Sequence, residues 1–115
     1  MKIVRDKISV DELKEMSKKM LGGIVKAVVD VEQEIMAVDA GMHVDEEGFL
    51  LEQGSEQENL WGINFHPDKV GSEAFIEFDS MINMRPSQGN RSRGVESEIL
   101  RKKIRVITEK LVGPL

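Results

Sequence analysis

The sequence contains no cysteine and no tyrosine, and its aromatic residues are four phenylalanines and one tryptophan. The missing cysteines exclude disulfides, thiolate catalysis and every zinc site that needs a cysteine ligand. Serine, threonine, lysine, aspartate and glutamate are left as candidate nucleophiles, and no recognised catalytic motif surrounds any of them. We expect no bound cofactor, and no stretch of the chain specifies a reaction.

Long apolar runs are also missing. The longest uncharged run is far too short to cross a bilayer, and residues 1–7 lack the apolar core of a signal peptide. We therefore expect a cytoplasmic protein with no membrane contact. A length of 115 residues, 40% of them hydrophobic, predicts one globular domain over 1–115.

Basic residues are unevenly distributed. No lysine or arginine occurs between Lys26 and Lys69, whereas residues 85–115 carry 8 basic and 3 acidic groups within a chain of net charge −5. One interpretation is that the acidic middle and the basic end lie near each other, within the fold or across a dimer. The other is a basic face for an anionic partner. We expect a homodimer on this ground.

A first helix begins after Ser9, whose side chain forms a capping box with Glu12, and it ends near Leu21 before Gly22-Gly23. Its buried stripe is Leu13, Met16 and Met20. Ile24–Val31 and Glu34–Asp39 have the β-branched, apolar composition of strands and predict a hairpin, although the residues between them are poor for a two-residue turn.

Two further strands are predicted at Leu60–His66 and Ala74–Met84, the second with a kink near Asp79-Ser80. Between the strand pairs, Asp45 caps a helix at Glu46–Gln53, or the same residues form a turn between two short strands. A last helix covers roughly Glu96–Val112.

Gly113-Pro114 ends that helix. The order α-β-β-α-β-β-α predicts an α+β fold. We expect an antiparallel sheet of about four strands with the helices on one face.

The polar loop from Arg85 to Arg93 is the main candidate site, for an anion. Arginine binds phosphate or carboxylate through two parallel hydrogen bonds, and glycine lets backbone amides approach a ligand closely. The candidate residues are Arg85, Ser87, Gln88, Gly89, Asn90, Arg91 and Arg93. The alternative is a structural loop whose arginines pair with Asp79, Glu77 or Asp30.

Two smaller sets of residues have the right chemistry for a site. His66 and Asp79 are candidates for proton transfer, and Asn64, His66 and Asn83 share the polar face of the sheet if the last two strands pair. His43, Asp45 and Glu47 carry groups that bind divalent cations, but their spacing matches no established metal motif. A solvated turn is the alternative for that cluster.

Three stretches resemble an uncharacterised prokaryotic family of about 110 residues, a domain of unknown function. They are Lys26–Glu32, Leu60–Asn64 and Phe78–Asn83 continuing into Arg85–Arg93. The resemblance covers nearly the whole chain. It implies one domain and brings no activity, substrate or catalytic residue.

These observations favour a small binding or interaction protein that uses the Arg85–Arg93 loop. The second hypothesis is an enzyme acting on a phosphorylated or other anionic small molecule, in which the loop arginines hold the anion. The third is a weak nucleic-acid binder. The loop has no aromatic residue for base stacking and the sequence pI is near 5.1, so the composition argues against nucleic acid.

Overall fold

Five strands and three helices form the fold in the computed structural model, which describes residues 1–113. The strands are β1 Lys2–Val4, β2 Val25–Asp30, β3 Ile35–Val38, β4 Leu60–Phe65 and β5 Ile76–Glu77. The helices are α1 Val10–Ser17, α2 His43–Glu52 and α3 Glu98–Leu111. All strand pairs are antiparallel, in the order β1-β3-β2-β4-β5. The predicted α+β class is confirmed, with β1 as a fifth strand at the edge.

Helix α1 begins where the sequence predicts. The Glu12 N–H donates to Ser9 Oγ at 3.0 Å, which satisfies one of the free amides of the first turn. Leu13 and Met16 are buried, whereas Met20 lies beyond the helix and is only partly buried. The helix ends at Ser17, earlier than expected, and the left-handed Gly22 and Gly23 follow it.

The β2–β3 hairpin is confirmed, and its connection is a turn over residues 31–34. Asp30 organises this turn, because its Oδ1 accepts hydrogen bonds from the Glu32 and Gln33 N–H groups at 2.9 and 3.0 Å. Glu34 takes a positive φ of 58°. The carboxylate of Asp30 therefore supplies the turn chemistry that glycine or asparagine usually provides.

The helices cover both faces of the sheet, whereas the sequence predicted one covered face. The larger core joins Leu13 of α1 and Ile104 of α3 to Val29. On the opposite face, Leu50 of α2 packs with Val28 and other residues of the smaller core. Because β2 is buried on both faces, it needs a cover on each side.

The predicted long strand at Ala74–Met84 is wrong. The strand β5 covers only Ile76–Glu77, and the chain then forms short 3-10 turns at Met81–Asn83 and Pro86–Gln88. Side-chain amides replace the missing strand, since Asn83 Oδ1 accepts from the Gly62 N–H at 2.8 Å and Asn83 Nδ2 donates to the Gly62 carbonyl at 2.9 Å. The edge of β4 is thus satisfied without a backbone ladder.

Helix α2 begins at His43, three residues before the predicted start, and the helical interpretation of this segment is confirmed. Helix α3 is capped by Ser97, whose Oγ accepts from the Leu100 N–H at 3.1 Å. Pro114, the second residue of the predicted terminator, lies outside the described residues. Over residues 1–113, every helix is too short or too polar to span a bilayer.

Candidate functional site

Arg85 lies against the edge of β4. Its guanidinium donates to the carbonyl of Gln57 and, at 2.7 Å, to the carbonyl of Leu60, and it stacks over the Trp61 ring at 4.1 Å. Burial lowers the pKa of Arg85, and the nearby carboxylate of Glu47 opposes that effect. The Arg85 guanidinium is therefore bound by backbone carbonyls and by Trp61 of the protein itself.

Asn90 holds the rest of the loop together. It is 4% exposed, and its Nδ2 donates to the carbonyls of Asn83, Ser92 and Gly94 at 2.7–3.1 Å. Its backbone forms a bridge with Arg85. Asn90 Oδ1 also accepts from the Glu96 N–H at 2.9 Å. The buried side chain therefore makes four hydrogen bonds to the backbone, which gives Asn90 a structural role.

The remaining loop residues are exposed. Gln88 Nε2 donates to the Glu58 carbonyl at 3.1 Å, Gly89 has a φ of +80°, and Ser87 is exposed on the 3-10 turn. The Arg91 and Ser92 N–H groups both donate to Glu96 Oε2, at 2.6 and 2.9 Å. These bonds lower the pKa of Glu96. An internal carboxylate therefore occupies these two backbone donors.

The three arginines contact different groups. Arg93 Nε donates to Asp79 Oδ1 at 2.6 Å, Arg85 binds carbonyl oxygens, and the Arg91 side chain is exposed. Arg93–Asp79 and Lys110–Glu34, at 3.0 Å, join the basic end of the chain to its acidic part. The uneven charge of the sequence is thus partly balanced within one molecule.

His43, Asp45 and Glu47 share one end of α2 without converging. His43 is buried and its Nε2 lies 2.8 Å from the Ile63 carbonyl oxygen, so Nε2 carries a proton and donates it. Asp45 is exposed, whereas Glu47 is buried. Over residues 1–113, no group of three or more histidine and acidic side chains is arranged to hold a metal ion.

His66 pairs with Glu77, a residue of the edge strand β5. The distance from His66 Nε2 to Glu77 Oε1 is 3.2 Å, and the same oxygen accepts from Asn64 Nδ2 at 3.1 Å. Asn64 Nδ2 also donates to the Asp79 carbonyl at 3.2 Å. Asn64 and His66 therefore meet through one carboxylate, while Asn83 binds backbone further along β4.

A cavity of about 360 Å³ opens between the first turn of α2, the end of β4 and the segment after β5. Its apolar lining comes from Ile24, Met42, Val44, Met81 and Ile82. Its polar lining comes from Lys26, His43, Asn64, Glu77, Asp79, Ser80 and Arg93. Candidates from separate hypotheses, Asp79, Arg93 and His43, thus line one cavity.

A row of three polar side chains crosses this face of the sheet. The antiparallel register places Lys26 of β2 opposite Asn64 of β4, and Asn64 opposite Glu77 of β5. Among the described residues, Lys26 forms no ion pair. Lys26 is the last lysine or arginine before the long stretch without either that ends at Lys69. It also interrupts an otherwise apolar strand, and this is the sequence signal that could have identified it.

Gly62 lets two cavity residues approach the sheet. A Cβ on Gly62 would lie 2.5 Å from Ser80 Cβ and 3.2 Å from His43 Cδ2, so a larger residue would push these side chains out. Ser80 is 1% exposed, and burial lowers the pKa of His43. The His43 ring is therefore neutral near pH 7, and with Nε2 protonated it keeps its lone pair on Nδ1.

Glu46 of α2 is a buried carboxyl beside this region. Its Oε2 accepts from the Ala40 N–H at 3.1 Å, whereas its Oε1 has no partner among the described residues. Burial raises the pKa of Glu46 to about 9, against the smaller effects of the Ala40 bond and the charge of Lys26. Glu46 is therefore neutral at pH 7 and leaves the charge of Lys26 uncompensated.

A comparison with family models finds one match, to the family described as Protein of unknown function (DUF5674), over residues 2–111. No curated protein and no solved structure matches the chain.

Proposed function

The chain belongs to the family of unknown function whose model matches it, and on that premise we propose that it is a small binding protein. Its ligand is an anionic small molecule held in the cavity beside α2. The observation that carries the proposal is Lys26, a lysine that lines the cavity and whose ammonium group has no ion pair among the described residues. A partly buried cation without a counter-ion favours an anion from solution.

The first turn of α2 supports the same position for the anion. Met42, the residue before the helix, has no side-chain oxygen, and the structure gives this end no side-chain cap. Helix N-termini carry free N–H groups and partial positive charge, which stabilise anions. Met42, His43 and Val44 all line the cavity, so this end of the helix and Lys26 act on the same space.

The apolar rim indicates that the ligand also has a hydrocarbon part. Met42 is 58% exposed, Met81 63% and Val44 50%, and all three line the cavity. Ligand sites combine such apolar walls with a few polar groups that orient the ligand. Among residues 85–93, all of them in the described part of the chain, only Arg93 lines this cavity. The proposed site therefore lies beside the predicted loop and shares one arginine with it.

Thermal unfolding in added carboxylate tests the proposal. The probe is 4-methylpentanoate, a short branched carboxylate, compared with chloride at equal ionic strength. A ligand that binds only the folded state raises the melting temperature by mass action. We expect this rise in the parent and its loss in Lys26→Met. Lys103→Met, which removes an exposed lysine outside the cavity, should keep it. An equal rise in all three proteins would refute the site.

An enzyme acting on an anionic small molecule is a second candidate, and His43 favours it. A neutral imidazole with a lowered pKa lines the cavity, which Ser80 also lines, and such a base activates a serine hydroxyl in many enzymes. Hydrolysis of a panel of carboxylate and phosphate esters tests this candidate. Turnover that is lost in His43→Gln, with the fold intact by circular dichroism, supports it. No turnover above the buffer rate would refute it.

Self-association and a cytoplasmic location remain predictions. The surface best suited to a homodimer is the outer face of α3, where Ile99 is 82% exposed and Val106, two turns later, is 63% exposed. Light scattering across micromolar concentrations should give a dimer mass that falls to the monomer mass in Ile99→Ser. A monomer mass for the parent would contradict the dimer.

A further inference from the structure

We infer that the ligand of this cavity is a zwitterion, namely a free α-amino acid with an aliphatic side chain. The inference rests on the proposed function, since it adds a second charge to a ligand whose anionic group is already placed near Lys26. Two features of the cavity that a purely anionic ligand does not complement lead to it, namely the free oxygen of Asn64 and the carboxylates of Glu77 and Asp79.

The first such group is the Asn64 side chain. Asn64 is 5% exposed, and its Nδ2 lies between two acceptors, Glu77 Oε1 and the Asp79 carbonyl. This arrangement fixes the orientation of the amide, because a flipped Asn64 would place oxygen against oxygen. Its Oδ1 is then left buried with no donor among the described residues. A buried acceptor without a donor costs free energy, which a ligand N–H group would recover.

The second is the pair of carboxylates at the far end of the polar row. Glu77 and Asp79 both line the cavity, and their side chains are 48% and 42% exposed. Glu77 Oε1 already accepts from Asn64 and Asp79 Oδ1 from Arg93, so the second oxygen of each carboxylate is the one that a ligand can meet. A ligand carrying only negative charge would meet repulsion here. An ammonium group on the same ligand would instead meet two carboxylates and the free oxygen of Asn64.

The strand register separates the two charges. Lys26, Asn64 and Glu77 occupy neighbouring positions on β2, β4 and β5, so positive and negative groups lie at opposite ends of one row. Adjacent strands are about 4.8 Å apart, which places the ends of the row roughly 10 Å apart at the backbone. A zwitterion lying along the row would place its carboxylate toward Lys26 and its ammonium group toward Glu77.

The volume of the cavity and its apolar rim indicate the size and the side chain of the ligand. A cavity of about 360 Å³ lies at the small end of ligand sites, which suits a single amino acid. Met42, Val44 and Met81 supply an apolar wall for its side chain. An aliphatic amino acid therefore satisfies the cation, the carboxylates, the free amide oxygen and the wall together.

The test compares leucine with two analogues that each lack one charge. These are 4-methylpentanoate, which lacks the ammonium group, and 3-methylbutylamine, which lacks the carboxylate. Titrations followed by amide chemical shifts at constant ionic strength give the three affinities. We expect leucine to bind at least tenfold more tightly than either analogue, with shifts at residues lining the cavity.

Variants assign the two ends of the ligand. Glu77→Gln keeps a hydrogen-bond acceptor and should weaken leucine by about tenfold, which corresponds to about 1.4 kcal/mol. It should strengthen 4-methylpentanoate, because the repulsion between Glu77 and the carboxylate of that ligand is removed. Glu73→Gln, an exposed carboxylate outside this cavity, is the matched control and should change neither. Circular dichroism and melting temperature establish that each variant is folded.

The outcomes separate the two proposals. If 4-methylpentanoate binds as tightly as leucine, the zwitterion is wrong and the anion site stands. If neither compound shifts residues of the cavity, both proposals are wrong. If leucine alone binds and Glu77→Gln has no effect on it, the assignment of the ammonium group to this end of the row is overturned.

Discussion

Replacing Glu46 with glutamine should stabilise the protein at neutral pH. Glu46 is fully buried, and its pKa is raised from 4.5 to about 9, so the folded protein keeps a proton that the unfolded chain releases. A raised pKa in the folded state gives stability that is complete below about pH 4.5 and is lost as the pH rises toward 9. Glutamine resembles the neutral acid and has no proton to lose.

The size of the effect follows from the pH interval. Between the unfolded pKa and pH 7 lie about 2.5 pH units, each worth about 1.4 kcal/mol, which gives roughly 3.5 kcal/mol at pH 7. The glutamine oxygen can accept from the Ala40 N–H as Oε2 does, so that bond is kept. The glutamine NH₂ takes the place of the protonated oxygen, and neither has a partner among the described residues.

Urea unfolding of the parent and Glu46→Gln at pH 4.5, 6, 7 and 8 measures this difference. The contributions of all other titrating groups cancel in the comparison, so the gap between the two proteins should widen steadily with pH. Glu52→Gln, an exposed carboxylate at the end of the same helix, controls for the lost charge. A gap that stays constant from pH 4.5 to 8 would show that Glu46 is ionised in the folded protein.

Three further predictions concern the segment after β5 and its contact with β4. Asn83→Ala strands both backbone groups of Gly62 and should destabilise by roughly 3 kcal/mol, measured by urea unfolding; a loss below about 1 kcal/mol would mean that water replaces the amide. Gly62→Ala should destabilise through its Cβ contact with Ser80, and Ser80→Gly should recover part of that loss; strictly additive losses would contradict direct contact. Arg85→Gln should cost roughly 2 kcal/mol, whereas Arg91→Gln should stay within about 0.5 kcal/mol of the parent; equal losses would mean that Arg91 has a structural partner.

Local signals in the sequence predict much of the fold. The Ser9 and Glu12 capping box places α1, the alternation of Trp61, Ile63 and Phe65 places β4, and the apolar stripe of the last helix places α3. These elements depend on neighbours within a few residues along the chain. Their ends are less predictable, because α1 stops at Ser17 before the glycines that were expected to end it.

The segment after β5 could not be predicted, because its partners are distant in sequence. Nothing in the local sequence distinguishes Asn83 and Asn90 from other polar loop residues. In the structure their side-chain amides bind backbone groups of β4 and of the loop itself. A strand pattern assumes that backbone groups pair with backbone groups. Here the buried side-chain amides of Asn83 and Asn90 bind backbone groups instead, and the predicted strand at Ala74–Met84 is reduced to two residues.

The sequence predicts individual residues of the candidate site but not their convergence on one cavity. The sequence marks Asp79, Arg93 and His43 by chemistry, yet under separate hypotheses. The strand register aligns Lys26 with Asn64, and the packing of α2 and of the segment after β5 against this part of the sheet brings the other three to the same cavity. Register depends on the pairing of the whole sheet. The burial of α2 on the second face likewise depends on the covering of β2, which a single segment does not reveal.

The most direct test of the binding site is an amide-resolved titration of the folded protein with 4-methylpentanoate. We predict saturable shifts concentrated at His43, Val44, Asn64 and Ser80, with Lys26→Met weakening the affinity at least tenfold and Lys103→Met leaving it unchanged. Shifts concentrated instead at the exposed loop residues Ser87 and Arg91, or an affinity unaffected by Lys26→Met, would contradict an anion site in the cavity beside α2.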